Sequence, residues 1–143
     1  MNVATILKLK GRSVATAKPD NTLLEIASKL SAKRIGAIVV VGDNGHVDGI
    51  VSERDVIRAI AEGGAAALQR PVHEVMTANV VSCSEDSALD ELMELMTQGR
   101  FRHLPVMEDG SLVGIISIGD VVKNHVAEVE MEASSMRSYL ATG

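Results

Sequence analysis

"GIVSERD", Gly49 to Asp55, and "GIISIGD", Gly114 to Asp120, share one pattern: glycine, two branched apolar residues, serine, two variable residues and aspartate. Each reads as a buried strand that ends at Ser52 or Ser117, with a carboxylate three residues on. Two copies of so particular a pattern point to an internal repeat, and a repeat constrains the fold before any single element does. Outward from the motif, Val14–Ile57 aligns over Val80–Val122 with one gap, at Asn44, and 13 of 43 aligned positions are identical. "VATIL" (Val3–Leu7) and "VHEVM" (Val72–Met76) precede the two copies and also match.

The copies predict the same elements. Leu23, Ile26, Ala27 and Leu30 recur at helical spacing, as do Leu89, Leu92, Met93 and Met96. Asp20–Thr22 and Asp86–Ser87 offer N-caps for these helices. Short apolar strands follow, "AIVVV" and "HLPVM", then turns, "DNG" and "EDG", in which Asn and Gly tolerate positive φ. Second strands, "VDGIVS" and "LVGIISI", complete the hairpins, and amphipathic helices start near Asp55 and Asp120. Each unit is β-α-β-β-α, which makes the chain α/β in the α+β sense. Units of about 60 residues are marginal alone. The expectation is therefore two pseudo-symmetric repeats packed sheet to sheet around one core. The expected boundaries are 1–64 for the first repeat with its N-terminal helix, 65–71 for a linker within "AEGGAAALQRP", 72–127 for the second repeat and 128–143 for a C-terminal helical extension. Along that last helix Val122, Val126, Val129, Ala133, Met136 and Leu140 recur with spacing 4, 3, 4, 3, 4, an a/d seam. Such a seam either folds back on its own domain or meets a second subunit.

Composition excludes several function classes. The net charge of −5 argues against a binder of nucleic-acid backbones, which needs a basic face. Phe101 and Tyr139 are the only aromatic residues, too few for stacking platforms. No apolar run approaches 18 residues, so no membrane span is expected. "MNVATILKLKGR" lacks the apolar stretch and cleavage site of a signal peptide. The lone Cys83 has no disulfide partner in the chain. Together these readings predict a cytoplasmic protein.

The doubled unit, with Gly-h-h-Ser-x-x-Asp closing each second strand, resembles a tandem pair of CBS domains, the Bateman module. "RIGAIVVV…GIVSERDVIRA" and "GRFRHLPVMEDGSLVGIISIGDVV" are most similar to small stand-alone bacterial CBS-pair proteins. The resemblance covers nearly the whole chain. It implies a regulatory module that binds an adenosine-containing ligand between its repeats: AMP, ADP, ATP, S-adenosylmethionine or NAD. It also implies a homodimer that signals in trans to an unidentified effector protein. An NAD(H)- or S-adenosylmethionine-binding redox or metabolite sensor using the same cleft is the alternative.

The residues carry that chemistry independently. An adenosine phosphate needs a carboxylate for the ribose diol, helix N-terminal amides for phosphate and an apolar slot for the purine. Ser52 with Asp55, and Ser117 with Asp120, supply the first two at strand-to-helix junctions. Gly36, Ala37, Leu104 and Pro105, with Ile50 and Ile115 on the second strands, supply aliphatic walls. Ser-x-x-Asp before an apolar helix is equally a capping box, and one aspartate can serve both roles. Arg54 stands inside the first motif where the second has Gly119; it either meets a phosphate or lies in solvent. Arg100, Arg102 and His103 form a basic group at the entrance to a strand, where Arg100 and Arg102 would share a face. They either grip phosphate or guard a strand edge. In the resembled family the first short strand lines the purine and ribose pocket, which implicates Thr16, Ala17, Ser82 and Cys83. Cys83 is also readable as a small buried residue. His46, His73, His103 and His125 lack metal-ligand spacing, and no nucleophile elbow or Walker loop is present, so no metal and no catalysis are expected.

Overall fold

The computed structural model describes residues 1–142. Helix α1 (Val3–Lys10) opens the chain. The first repeat follows as β1 (Thr16–Ala17), α2 (Leu23–Lys33), β2 (Ala37–Val41), β3 (Val47–Ser52) and α3 (Glu53–Gly63). The second comprises α4 (Leu89–Gly99), β4 (His103–Glu108), β5 (Ser111–Ser117) and the 25-residue α5 (Ile118–Thr142). The expected linker is ordered: 3-10 turns span Gly64–Gln69 and Val72–Glu74, and Ala67 is buried in the first core.

In the first repeat β1 runs parallel to β2, and β2 runs antiparallel to β3. In the second repeat β4 and β5 pair antiparallel, but the expected first strand shrinks to one parallel bridge, Cys83 to Val106. Proline explains the loss. Val39 donates its N–H to the Ala15 carbonyl at 3.1 Å, whereas the aligned Pro105 has no N–H to offer Val81.

The hairpins differ through Asn44. Asp109 (φ 49°) and Gly110 (φ 78°) close β4–β5 as a two-residue turn with both φ positive. The inserted residue lengthens the β2–β3 turn, where Gly45 (φ 79°) alone is positive and Gly42 N–H donates to His46 O at 2.9 Å. The capping expectation holds for one helix of two. Thr22 caps α2 in a reciprocal box with Glu25. The residue at the equivalent place before α4 is Ala88, which has no side-chain oxygen, and Ser87 instead accepts from Ser84 N–H at 3.1 Å.

The single core expected from the repeat is two cores, and each borrows from outside its repeat. Leu23, Ile26, Ile38, Val40 and Val51 pack with Val72, with Met76 against them. Leu89, Leu92, Leu104, Val106 and Ile116 pack with Val3, Ile6 and Leu7 of α1. So α1, which precedes the first repeat in sequence, completes the second, and residues 72–76 complete the first. The backbone mirrors the exchange. Val3 N–H donates to Ser87 O (3.0 Å) and Ala4 N–H to Glu85 O (2.9 Å); Val72 N–H donates to Asn21 O (2.7 Å) and His73 N–H to Pro19 O (3.1 Å).

Helix α5 leaves the second core after Val121. Val122, Val126, Val129, Met136 and Leu140 remain 48–68% exposed, so the seam does not fold back on its own domain.

Candidate functional site

Both Ser-x-x-Asp junctions are reciprocal capping boxes. Asp55 Oδ2 accepts from Ser52 N–H (2.8 Å) and from the Ser52 hydroxyl (3.1 Å), while Asp55 N–H donates back to Ser52 Oγ (3.4 Å). Asp120 Oδ2 accepts from Ser117 N–H and the Ser117 hydroxyl, both at 2.9 Å, and Asp120 N–H donates to Ser117 Oγ at 3.2 Å. Capping therefore engages one oxygen of each carboxylate. The other differs between the copies: Asp55 Oδ1 accepts from Arg58 at 3.4 Å, whereas among the described residues the bonds to the Asp120 carboxylate all go to Oδ2.

A cleft of about 640 Å³ lies between the repeats, on the Asp55 side. Gly36 and Ala37 at the start of β2, Ile50 on β3, and Ser52, Arg54 and Asp55 at the head of α3 form one wall. Arg100, Arg102, His103, Ser117 and Gly119 face them from the second repeat. The expected alternation of Arg100 and Arg102 along a strand is not what brings them there. Arg100 is the left-handed C-cap of α4 (φ 57°), as Arg34 is of α2 (φ 53°), and β4 begins only at His103. The cleft holds four guanidinium groups, from Arg54, Arg58, Arg100 and Arg102, and two carboxylates, from Glu53 and Asp55. A chain of net charge −5 has thus gathered cations at one place.

His103 is packed close to Gly36: a Cβ on that glycine would lie 3.1 Å from His103 Nε2. Burial lowers the His103 pKa below its ordinary value, opposed in part by the Glu53 carboxylate, which favours the neutral imidazole. Burial alone would raise the Asp120 carboxyl. Hydrogen bonds from Lys10 and from the backbone and hydroxyl of Ser117 outweigh it and hold Asp120 below the usual carboxylate range.

Other candidates lie outside this cleft. Strand alternation turns Leu104 into the second core, and Pro105 is buried beside it. Ala17 and Cys83 are buried in the two cores, while Thr16 and Ser82 are exposed away from the cleft. The Cys83 thiol faces the Pro105 carbonyl at 3.8 Å, and burial pushes its pKa up to about 11, which fits a small buried residue. Ile115 and Asp120 lie under Lys10, whose Nζ donates to Ile115 O (2.9 Å) and to Asp120 Oδ2 (2.6 Å).

Several lining residues escaped the sequence reading. Glu53 and Ile118 are variable residues inside the motif itself, and Arg58 was findable from helical spacing, since it is one turn beyond Asp55. Phe101 supplies an aromatic face in a chain with few. Thr77 reaches the cleft only because residues 72–76 dock on the first repeat, and nothing local signals that.

The CBS domain family model matches residues 9–62 and again 72–126. The chain belongs to that family, as a tandem pair. It is 53% identical to a solved CBS-domain-containing protein, ATU1752 from Agrobacterium tumefaciens, with TM-score 0.85 over 87% of this chain and 99% of that one. The CBS domain pair of protein MJ0100, solved with 5′-methylthioadenosine and S-adenosyl-L-methionine, is 25% identical with TM-score 0.80, covering 90% of this chain and 98% of that one. The CBS domain protein PAE2072 from Pyrobaculum aerophilum, solved with AMP, is 25% identical with TM-score 0.75, covering 84% and 89%. Among the described residues no helix is long and apolar enough to cross a membrane.

Proposed function

We propose that this CBS pair is a regulatory module whose cleft binds an adenine nucleotide of the AMP, ADP or ATP type, senses energy state and signals to a partner protein in trans. The observation that carries the reading is the clustering of Arg54, Arg58, Arg100 and Arg102 around Asp55 in an acidic protein. Guanidinium forks match phosphate oxygens. Asp55 Oδ1 accepts from a ribose diol in place of its long 3.4 Å bond from the exposed Arg58, and Gly36, Ala37, Ile50 and Phe101 offer a flat apolar surface for the purine. These groups bind and orient; the reading gives them no covalent chemistry. The setting it assumes is the cytoplasm, where Cys83 stays reduced.

The relative solved with S-adenosyl-L-methionine motivates a metabolite-sensing alternative, with NAD(H) beside it. Four arginines favour a phosphate over a cationic sulfonium, so the nucleotide reading is preferred. The partner copy in this reading is a second chain, joined along the exposed apolar stripe of α5 and the exposed Ile57 and Ile60 of α3.

A thermal-shift panel of AMP, ADP, ATP, NAD, NADH and S-adenosylmethionine tests the reading. A ligand at 100 times its Kd stabilises by ~2.7 kcal/mol. Stabilisation by AMP, ADP or ATP supports it; stabilisation by S-adenosylmethionine alone transfers the cleft to the alternative; no shift by any of them removes it.

A further inference from the structure

The two Ser-x-x-Asp junctions are built alike and covered differently. Over the first, the chain leaves Met76 in extended form, and Thr77 exchanges hydrogen bonds with Ile50 (Thr77 N–H to Ile50 O 2.9 Å, Ile50 N–H to Thr77 O 3.0 Å). Over the second, the equivalent segment stays helical past Leu7 and ends at Lys10. Its amine replaces the Thr77 amide: Nζ donates to Ile115 O, the counterpart of Ile50 O, at 2.9 Å. The same amine donates to Asp120 Oδ2 at 2.6 Å. No side chain from the N-terminal segment reaches Asp55, whose ion-pair partner is Arg58 of its own helix.

Lys10 is delivered to this place by a fixed element. Val3, Ile6 and Leu7 of α1 are buried in the second core, and the Met1 amine pairs with Glu128 at the far end of the helix. The side chains of Lys10 and Asp120 are 31% and 21% exposed, so the pair is accessible but anchored. A ribose diol that approached Asp120 would compete with an ammonium 2.6 Å from Oδ2 that the Ile115 carbonyl also holds in place.

We propose that Lys10 is a built-in occupant of the second nucleotide site. Its anchored ammonium compensates the Asp120 charge that a ribose would use, whereas the Arg58 guanidinium is 3.4 Å from Asp55 and 65% exposed, so the chain takes up nucleotide beside Asp55 and not beside Asp120. Lys10 thereby sets the binding stoichiometry. This inference rests on the nucleotide reading of the cleft and adds to it the reason why two copies of one motif give one open site.

Isothermal titration calorimetry with AMP on the full chain tests it, comparing wild type, Lys10→Met and Lys10→Met/Asp120→Asn. Methionine keeps the aliphatic stem and loses the charge. The expected result is that Lys10→Met takes up one more AMP per chain than wild type, and that Asp120→Asn removes that extra equivalent. An unchanged stoichiometry in Lys10→Met overturns the inference, as does a second AMP already bound by wild type. Weaker AMP binding in Lys10→Met, with no added equivalent, also overturns it, because Lys10 would then be a ligand contact. If none of the three chains binds AMP, the nucleotide reading itself has failed and the inference falls with it, an outcome distinct from binding without a gain.

Discussion

Leu7 occupies the space that a side chain on Gly114 would need: a Cβ there would lie 2.7 Å from Leu7 Cδ2. Met76 stands in the same relation to Gly49, with Sδ 2.6 Å and the Thr77 carbonyl 2.8 Å from the Cβ position. The glycine that opens each copy of the motif is therefore the seat for a side chain from the exchanged segment.

Gly114→Ala should destabilise by about 1–3 kcal/mol through overpacking against Leu7. Leu7→Ala should cost about 2–5 kcal/mol by opening a cavity. The two changes touch one another, so the double variant should be more stable than the sum of the single losses implies. Urea denaturation of the four proteins measures the cycle. Strict additivity would show that the contact does not organise the core.

The depressed Asp120 carboxyl predicts a pH window. A group whose pKa is lower folded than unfolded adds stability that is fully present above the ordinary carboxylate value of about 3.9 and lost as pH falls through the folded value. Wild type should therefore lose stability below about pH 4 more steeply than Asp120→Asn, which has no carboxylate to protonate. Lys10→Met should flatten the same limb, since Lys10 is one of the groups holding the charge. Denaturant midpoints between pH 7 and pH 3 read the difference. Parallel curves for wild type and Asp120→Asn would reject the assignment.

Loss of hydrogen bonds to a charged group costs about 1.5–3 kcal/mol. Asp55→Ala should accordingly weaken AMP binding roughly 10- to 100-fold. Arg102→Ala should weaken AMP more than adenosine, because only the nucleotide carries phosphate. Competition titrations with both ligands measure the pair of ratios. Equal losses for AMP and adenosine in Arg102→Ala would move the phosphate elsewhere in the cleft.

The repeat was legible because thirteen identities preserve spacing, and spacing alone predicts the hairpins and the helix that follows each Asp. What escaped was everything that depends on exchange. "VATIL" and "VHEVM" match each other, but a match between segments does not say which core each one enters. Lys10 meets Asp120 across 110 positions, and no local pattern encodes that approach. Leu104 was misplaced for a simpler reason. A short apolar strand shows no alternation, so the face that points to the core was not readable from "HLPVM". Pro105 could have been read better, since a proline inside a strand already forecasts a missing ladder bond.

The last prediction concerns α5. Val129, Met136 and Leu140 are 48%, 60% and 68% exposed. Full burial of such side chains is worth ~1.5–3 kcal/mol each, so covering what remains open should contribute roughly half of that per residue before ordering costs. Most of the positions off the stripe are polar, with Glu128, Glu130, Glu132, Ser134 and Arg137 between the apolar ones, although Met131 and Tyr139 are exposed there too. Deleting residues 130–143 removes Met136 and Leu140 but neither core, because no residue of either cluster lies beyond Val121. The truncated chain should therefore still fold and form a weaker dimer. Sedimentation velocity of full and truncated chains at matched concentrations gives the comparison. A full-length monomer would refute the dimer. A dimer unchanged by truncation would place the interface at Ile57 and Ile60 of α3 with Val122, Val126 and Val129 of α5, exposed apolar residues of these two helices that truncation leaves in place.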